Sequence, residues 1–416
     1  MNVIVKPNSF YKGEVFIPSS KSVSHRWLIC AALSKKESVI KGYMKGDDIE
    51  ATADCLRAMG ANFEFFDNFV KVTPIVRNTV NATFNVRESG STLRFLLPIA
   101  AALGISTEFV MSGRLKERPI GALIEVIAQK GITYNNNPLA ISGKLVNGEY
   151  KIDASISSQF ISGLLFALPL LDGDSKIVLI NKVVSEGYIN ITLSVLASCG
   201  IIIEKTDYGY FVKGGQKYII PNNAYAEGDW SSCAFFVVLG ALNGDISIRN
   251  VNINSHQGDK EIINLLQKAN ADITIENDFI RVVKSNLKSI RFSAEDIPDL
   301  VPIMAIALAN AEGTSVIEDV ERLRDKESDR LQAVIDMLTS FGIKCYYKSG
   351  SLYIEGGKLR GGKINGYRDH RIVMAATIGA SIAQGESIIS DRESISKSYP
   401  DFFEDMKKVG GEIYES

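Results

Sequence analysis

The sequence predicts an α/β (α+β) protein of two domains, each assembled from three copies of one strand–helix unit. Three observations carry this prediction. The chain has 416 residues, more than one hydrophobic core ordinarily serves. Six segments end alike, in an amphipathic helix, a residue that tolerates left-handed backbone and a short alternating strand, and their stops fall about 70 residues apart. Six other segments are apolar nearly all round yet open on hydroxyl, basic or acidic residues, the pattern of a buried helix with a polar start.

In chain order the stops are Gly60 after Leu56–Met59, Gly131 after Ile124–Lys130, Gly200 after Leu193–Cys199, Asn270 after Ile262–Ala269, Gly342 after Leu331–Phe341 and Gly410 after Phe403–Val409. Glycine, and after it asparagine, is the residue most able to end a helix in a left-handed conformation. One such stop is a weak signal, whereas six in register define a repeat. The apolar helices begin with Ser19–Ser34 (SSKSVSHRWLICAALS). They continue with SGSTLRFLLPIAAALG, SSQFISGLLFALPLL, DWSSCAFFVVLGALNG, DLVPIMAIALANAEG and DHRIVMAATIGASIAQG. Short strands follow them at Thr107–Met111, Lys176–Ile180, Ile246–Val251 and Ser315–Ile317. Three units amount to about 200 residues, the upper end of a domain. The repeat phase therefore places a boundary near Ala224–Trp230, with the apolar helices at the centre of each domain.

Composition narrows the function. Hydrophobic residues make up 46% and charged residues 23% of the chain, as in an ordinary soluble enzyme. A net charge of −2 provides no basic field for nucleic acid, so any anion site is local. The cysteines Cys30, Cys55, Cys199, Cys233 and Cys345 are scattered and without CxxC spacing, which reads as small buried hydrophobes in a reducing compartment. His25, His256 and His370 form no ligand cluster, so no metal is expected. No apolar run approaches the roughly 20 residues that cross a bilayer. The opening MNVIVKPNSFYKGEV reads as a first strand, and a cytoplasmic location is expected.

The chemistry lies in the polar starts of the buried helices. The first carries Lys21, Ser22, Ser24, His25 and Arg26 in its opening turn, where basic side chains oppose the helix dipole but, with hydroxyls and free N–H groups, make an anion site. ESGSTLR supplies Ser89, Gly90, Ser91, Thr92 and Arg94, and GRLKERPIG supplies Arg114, Lys116 and Arg118 before Pro119, which is suited to a first helical position. Ser157-Ser158-Gln159, the run Arg322, Arg324, Lys326, Glu327 and Arg330, the triplet Asp369-His370-Arg371, and Lys397 complete the set. Capping explains Ser157, Asp325, Asp369 and Asp299 singly. It does not explain Arg26, Arg94, Arg330 and Arg371 near helix starts, which point to a ligand with two phosphate or carboxylate groups. Among these cations Asp299, Glu327 and Glu88 can stay ionised and move protons. GxGxxG, GxxxxGK[ST] and GxSxG are absent, so acid–base and electrostatic chemistry without a cofactor is expected.

The motifs SKSVSHR, SGSTLR, RLKERP, SSQFISGLL, SEGYINITL, EGDWSS, IPDLVP, DKESDR, DHR and SKSYPDF resemble, in order and over essentially the whole chain, the 5-enolpyruvylshikimate-3-phosphate synthase family. That resemblance implies a two-domain inside-out α/β barrel, each domain made of three βαβαββ repeats around buried helices. It implies a discontinuous domain of 1–18 plus 227–416 that closes over a cleft, and a second domain of 19–226. The implied reaction transfers the enolpyruvyl group of phosphoenolpyruvate to the 5-hydroxyl of shikimate 3-phosphate, in chorismate and aromatic amino acid biosynthesis. Shikimate 3-phosphate would contact Lys21, Ser22, Arg26, Ser157, Ser158, Gln159, Ser185, Asp299 and Lys326. Phosphoenolpyruvate would contact Lys21, Gly90, Arg114, Gln159, Arg330, Arg371 and Lys397. Asp299 is similar to the residue that takes the 5-hydroxyl proton, Glu327 to the one that protonates the methylene, and Lys21 to the one assisting at the bridging oxygen.

Four positions depart from the family pattern: Glu88 and His25 stand where asparagine is common, Arg322 where an asparagine often meets the shikimate phosphate, and Phe95 where proline is frequent. Two rivals share the implied fold. A sister transferase acting on UDP-N-acetylglucosamine usually carries a cysteine in the loop that is Gly113–Gly121 here, and this loop has none. A non-catalytic phosphoanion-binding protein would not need Lys21, Asp299, Glu327 and Lys397 together. The expected partners are the two small-molecule substrates, with no nucleic acid or membrane, and the expected state is a monomer.

Overall fold

The computed structural model describes residues 1–76, 79–276 and 279–415. Its helices are α1 (Lys21–Ala32), α2 (Asp47–Ala58), α3 (Gly90–Leu103), α4 (Gly121–Ala128), α5 (Ser158–Ala167), α6 (Glu186–Ser198), α7 (Trp230–Asn243), α8 (Ile262–Lys268), α9 (Val301–Ala309), α10 (Arg330–Ser340), α11 (His370–Ile382) and α12 (Phe402–Lys408). Two kinds alternate. In α1 every residue but Lys21 and Ser22 is buried, and in α9 every residue is. By contrast α2 buries one face, including Ile49, Ala53, Cys55 and Leu56. The odd-numbered helices are thus the core helices that the apolar runs predicted, and the even-numbered ones cover the outside of each core.

Residues 81–143 show one repeat whole. Strand Asn81–Arg87 leads into α3, and strand Ser106–Met111 returns parallel to it. After α4 a hairpin, Ile132–Asn136 and Leu139–Gly143, completes a four-stranded sheet with its second strand against Ser106–Met111. Parallel strands need a helical crossover and antiparallel ones only a turn, so this sheet order follows from the βαβαββ sequence of elements. The same pairing recurs in sheets built on Glu149–Asp153 with Ser175–Ile180 and on Arg291–Ser293 with Thr314–Glu318.

The remaining repeats are split along the chain. Tyr11–Phe16 pairs in parallel with Gly244–Arg249, so everything from Ser19 to Glu227 is inserted inside one repeat. Val3–Lys6 lies between Ser387–Ile389 and Glu412–Glu415, completing the last repeat from the other end of the chain. The first repeat of the inserted part has a three-stranded sheet, Ser38–Lys41, Phe69–Thr73 and Asn62–Phe65. Its parallel edge is met by isolated bridges, Ser34 to Tyr218 and Lys41 to Tyr225. The chain accordingly divides into one compact unit of Met1–Pro18 plus Gly228–Ser416 and another of Ser19–Glu227. Each has its own apolar core.

All six helix stops have positive φ: Gly60 107°, Gly131 93°, Gly200 77°, Asn270 72°, Gly342 77° and Gly410 103°. Five close a Schellman turn, in which the next amide donates back to the last helical turn, as Ala61 N does to Leu56 O at 3.1 Å. The sequence did not suggest a second series. Gly42, Gly113, Asn181, Asn250, Asp319 and Asp391, each just past the second strand of a repeat, also have positive φ, all between 54° and 65°. This turn sends the chain into the stretch before each outer helix; those stretches carry Arg114, Ser185, Asp259, Glu327 and Lys397, and in the first repeat Asp48 opens the helix itself.

Candidate active site

Within the unit Ser19–Glu227, the candidate residues gather at the N-termini of α1, α3 and α5. Lys21 opens α1 and its Nζ lies 2.9 Å from Asp48 Oδ2. Arg26, one turn on, is 2% exposed and held by neutral groups. Its Nε donates to Thr192 Oγ1 at 2.8 Å, Nη1 to Ser22 O at 2.7 Å and Nη2 to Tyr188 O at 2.8 Å. The guanidinium also stacks 5.0 Å from the Phe95 ring centre, which gives the departure at Phe95 a packing role. Burial pushes the Arg26 pKa down to about 10.

Ser89 caps α3 by accepting Thr92 N, and Gly90 is the first helical residue. A Cβ at Gly90 would sit 2.9 Å from Arg118 Nη1 and 3.0 Å from Arg94 Nη1, so any other residue would push these guanidiniums aside. Gln159 ties α5 to α3, accepting from Arg94 Nη1 at 2.7 Å and donating to Ser91 Oγ at 2.9 Å. The two helices approach closely because Pro98 cannot donate to the Arg94 carbonyl. Gly163 packs against that carbonyl, where a Cβ would lie 2.3 Å away. Ser157 caps α5 as expected, Ser158 is buried at its first position, and Ser185 precedes α6 with φ of 54°. Arg114 lies in a 3₁₀ turn, Gly113–Glu117, 3.4 Å from Glu117. Pro119 is not helical, since α4 begins at Gly121 after Ile120.

Within the other unit the centre is Arg330, with no exposed side-chain surface. Its Nη1 donates to Asp299 Oδ1 at 2.8 Å, Nη2 to Glu327 Oε2 at 2.6 Å and Nε to Asp369 Oδ2 at 2.9 Å. Burial alone would lower its pKa, but the Asp369, Glu327 and Asp299 charges reverse that and raise it above the ordinary arginine value. Burial likewise pushes the Asp369 carboxyl up, and Arg330 brings it below the usual aspartate value. Asp299 also accepts from Arg371 Nη2 at 3.0 Å and lies 3.5 Å from Lys326 Nζ. Burial depresses the Lys326 pKa more than Asp299 raises it. Lys397 donates to Arg368 O at 3.2 Å.

Two capping expectations change. Asp299 lies inside a 3₁₀ turn, Pro298–Leu300, aimed at arginines rather than at helix amides. Asp329, not Asp325, caps α10, because a 3₁₀ turn over Glu321–Asp325 uses Asp325 up before the helix starts. Asp369 does cap α11, accepting Arg371 N, and serves Arg330 with the same carboxylate. Asp48 and Asp259 escaped sequence reading. For Asp259 the available signal was the second series of glycine, asparagine and aspartate turns, which marks the stretch before each outer helix; Asp48, inside α2, had none. Asp259 is 4% exposed and accepts a hydrogen bond from Ser231 Oγ. Burial and the Asp299 carboxylate raise its pKa to about 6 against the pull of Arg371.

Each unit thus brings together its own set: carboxylates touching a permanent cation in one, and hydroxyls, an amide and buried guanidiniums in the other. Among the described residues no cluster of His, Cys, Asp or Glu has the form of a metal site, and no helix is long and apolar enough to cross a membrane.

The family model described as EPSP synthase (3-phosphoshikimate 1-carboxyvinyltransferase) matches residues 5–406. A 3-phosphoshikimate 1-carboxyvinyltransferase of Clostridium botulinum (strain Alaska E43 / Type E3) is 40% identical, covering 97% of this chain and 96% of its own length. One from Clostridium novyi (strain NT) is 38% identical over 100% of this chain and 98% of its own. Among solved structures, EPSP synthase from Acinetobacter baumannii superposes with a TM-score of 0.84 at 25% identity, covering 100% of both chains. The enolpyruvyl transferase NikO from Streptomyces tendae, at 16% identity and a TM-score of 0.81 over 100% of this chain and 98% of its own, shares the fold. With a family model and relatives of this similarity spanning nearly its full length, the chain belongs to the EPSP synthase family of 3-phosphoshikimate 1-carboxyvinyltransferases.

Proposed function

We propose that the chain transfers the enolpyruvyl group of phosphoenolpyruvate to the 5-hydroxyl of shikimate 3-phosphate with the residues that carry the family motifs. The observation that supports it most is the sharing of Arg330 by Asp299 and Glu327, 2.8 and 2.6 Å from its nitrogens. A permanent cation between two carboxylates fixes both in direction, Asp299 toward a hydroxyl proton and Glu327 toward a proton exchanged with carbon. Shikimate 3-phosphate is assigned to Lys21, Ser22, Arg26, Ser157, Ser158, Gln159, Ser185, Asp299 and Lys326. Phosphoenolpyruvate is assigned to Lys21, Gly90, Arg114, Gln159, Arg330, Arg371 and Lys397.

Asp299 takes the 5-hydroxyl proton as the oxygen bonds to C2 of phosphoenolpyruvate. Glu327, entering as the acid, delivers a proton to C3, which becomes a methyl group. In the tetrahedral adduct Glu327 takes a methyl proton back, the C2–O bond to phosphate breaks as Lys21 passes a proton to the bridging oxygen, hydrogen phosphate leaves, and Asp299 gives up the hydroxyl proton to recharge Lys21. The cations offset the phosphate and carboxylate charge throughout.

Phosphate release tests this reading. It is expected with shikimate 3-phosphate and phosphoenolpyruvate and not when UDP-N-acetylglucosamine replaces the first. Release with the UDP-sugar alone would move the chain to the sister activity. Calorimetric binding without release from either acceptor would make it a phosphoanion-binding protein.

A further inference from the structure

Four side chains of the Ser19–Glu227 unit form an unbroken buried relay outside the assigned substrate contacts. His25 Nδ1 lies 2.8 Å from Thr52 Oγ1, Thr52 Oγ1 lies 2.7 Å from Thr92 Oγ1, and Thr92 Oγ1 lies 2.7 Å from Ser89 Oγ. Each of the four is 0% exposed. They sit on α1, α2, α3 and the cap of α3, respectively. The relay therefore spans from the turn after Lys21 and Ser22 to the residue before Gly90.

Two proton arrangements satisfy the relay. Thr92 has one hydroxyl proton, and three oxygens lie within its reach: Ser89 Oγ and Thr52 Oγ1, each at 2.7 Å, and the carbonyl of Asp48 at 3.4 Å, which can only accept. Ser89 Oγ already accepts the Thr92 amide. With the Thr92 proton directed there, Thr52 donates to Thr92. The short contact between Thr52 and the ring then requires His25 to carry its proton on Nδ1. With it directed to Thr52 instead, Thr52 donates to Nδ1 and the ring proton sits on Nε2. Burial pushes the His25 pKa down to about 3, so the ring is neutral and has one N–H to give. Its Nε2 has no hydrogen-bond partner among the described residues, which fits a bare lone pair.

Resting on the reading given under Proposed function, we propose that His25, Thr52 and Thr92 are positioning residues. Their relay fixes the Lys21 turn of α1, and the Asp48 backbone beside it, at a set spacing from the Ser89–Ser91 turn of α3, and so holds together the phosphoenolpyruvate contacts Lys21 and Gly90. The relay would explain why histidine stands at position 25, since it is long enough to reach Thr52 across the helix pair with one ring nitrogen.

Thr52→Val keeps the shape and removes the link. We expect it to raise KM for phosphoenolpyruvate about tenfold, the scale of one lost buried hydrogen bond. KM for shikimate 3-phosphate should move by less than about twofold, thermal midpoint should fall modestly because valine leaves buried polar groups of His25 and Thr92 without their partner, and Thr52→Ser should restore both the KM and the midpoint. Thr92→Val is the second variant and should show the same split. Unchanged KM for phosphoenolpyruvate in both valine variants, or equal loss for both substrates, would overturn the proposal. Imidazole ¹⁵N spectra provide a test independent of turnover, with the His25 signals assigned by their loss in His25→Asn. A wild-type Nδ1 signal of a hydrogen-bonded ring that changes in Thr52→Val supports the relay; a His25 spectrum that Thr52→Val leaves unchanged overturns it. Absence of phosphate release by the wild type would sink the enzymatic reading alone, and the ring spectrum would still decide whether the relay exists.

Discussion

Arg26 and Arg330 are both buried guanidiniums, one in each unit, and their surroundings are opposite. Arg26 is satisfied by two carbonyls, a hydroxyl and an aromatic face, and its pKa falls to about 10. Arg330 meets three carboxylates and its pKa rises. Satisfying a guanidinium's hydrogen bonds without cancelling its charge keeps a positive potential in a low-dielectric place, where an incoming anion is attracted strongly. Cancelling it with carboxylates gives up that attraction and yields oriented bases instead. The contrast is between a buried cation left uncancelled in the Ser19–Glu227 unit and a buried cation that orients carboxylates in the other.

The largest effect that could break this contrast is on turnover. Glu327→Gln removes one carboxylate from Arg330 and leaves the Arg26 surroundings untouched. It should lower kcat by about 10²- to 10⁴-fold, the usual contribution of a general acid–base, while calorimetry still detects both substrates. Wild-type turnover would take Glu327 out of the proton path. Next in size is a contrast in stability. Arg330→Met removes the buried counter-charge that Asp299, Glu327 and Asp369 share, although Asp299 keeps Arg371 and Lys326, and should cost about 3–5 kcal/mol of unfolding free energy. Arg26→Met strands only neutral acceptors, at about 1–3 kcal/mol, but should weaken shikimate 3-phosphate binding more than it weakens folding. Denaturant titrations giving equal losses would refute the contrast.

The same contrast bears on what the sequence could and could not reveal. Features repeated along the chain were legible: the six stops at Gly60, Gly131, Gly200, Asn270, Gly342 and Gly410, and the core helices with their polar starts, because periodicity is a property of the chain itself. Partners brought together from distant positions were not. Nothing local marks Asp48 as the neighbour of Lys21, or Thr52 and Thr92 as neighbours of His25, and a threonine on a buried helix face reads as ordinary packing. Asp325 was misjudged as a cap for a related reason, since the choice between it and Asp329 depends on where a 3₁₀ turn ends. The completion of the last repeat by Val3–Lys6 is likewise invisible from a strand-like opening alone.

Asp259 offers a smaller test on the carboxylate side. Its folded pKa, about 6, lies above the ordinary 3.8, chiefly through burial and then Asp299. A raised carboxyl pKa means that its contribution to stability is fully present below about pH 4 and is lost as pH rises through 6. Asp259→Asn carries no such charge, so it should match wild type near pH 4 and exceed it by up to about 3 kcal/mol at pH 8. Chemical denaturation at the two pH values checks the sign. A variant less stable at pH 8 would mean that Arg371 depends on the Asp259 charge more than burial opposes it.

On the neutral side His25 should behave in the reverse sense. Burial depresses its pKa from 6.5 to about 3, so between those values the unfolded chain binds a proton that the folded one refuses. Stability from this site is complete above pH 6.5 and drains away as pH falls toward 3. At pH 5 the loss is about 2 kcal/mol, from one and a half pH units below the unfolded value. His25→Asn has no group to titrate in this window, so the gap between the two proteins should shift in favour of the variant by about that amount on going from pH 7.5 to pH 5. A gap that stays constant over this range would mean that the ring is protonated inside the fold, and a protonated ring beside Thr52 would carry a positive charge where the relay requires a neutral ring.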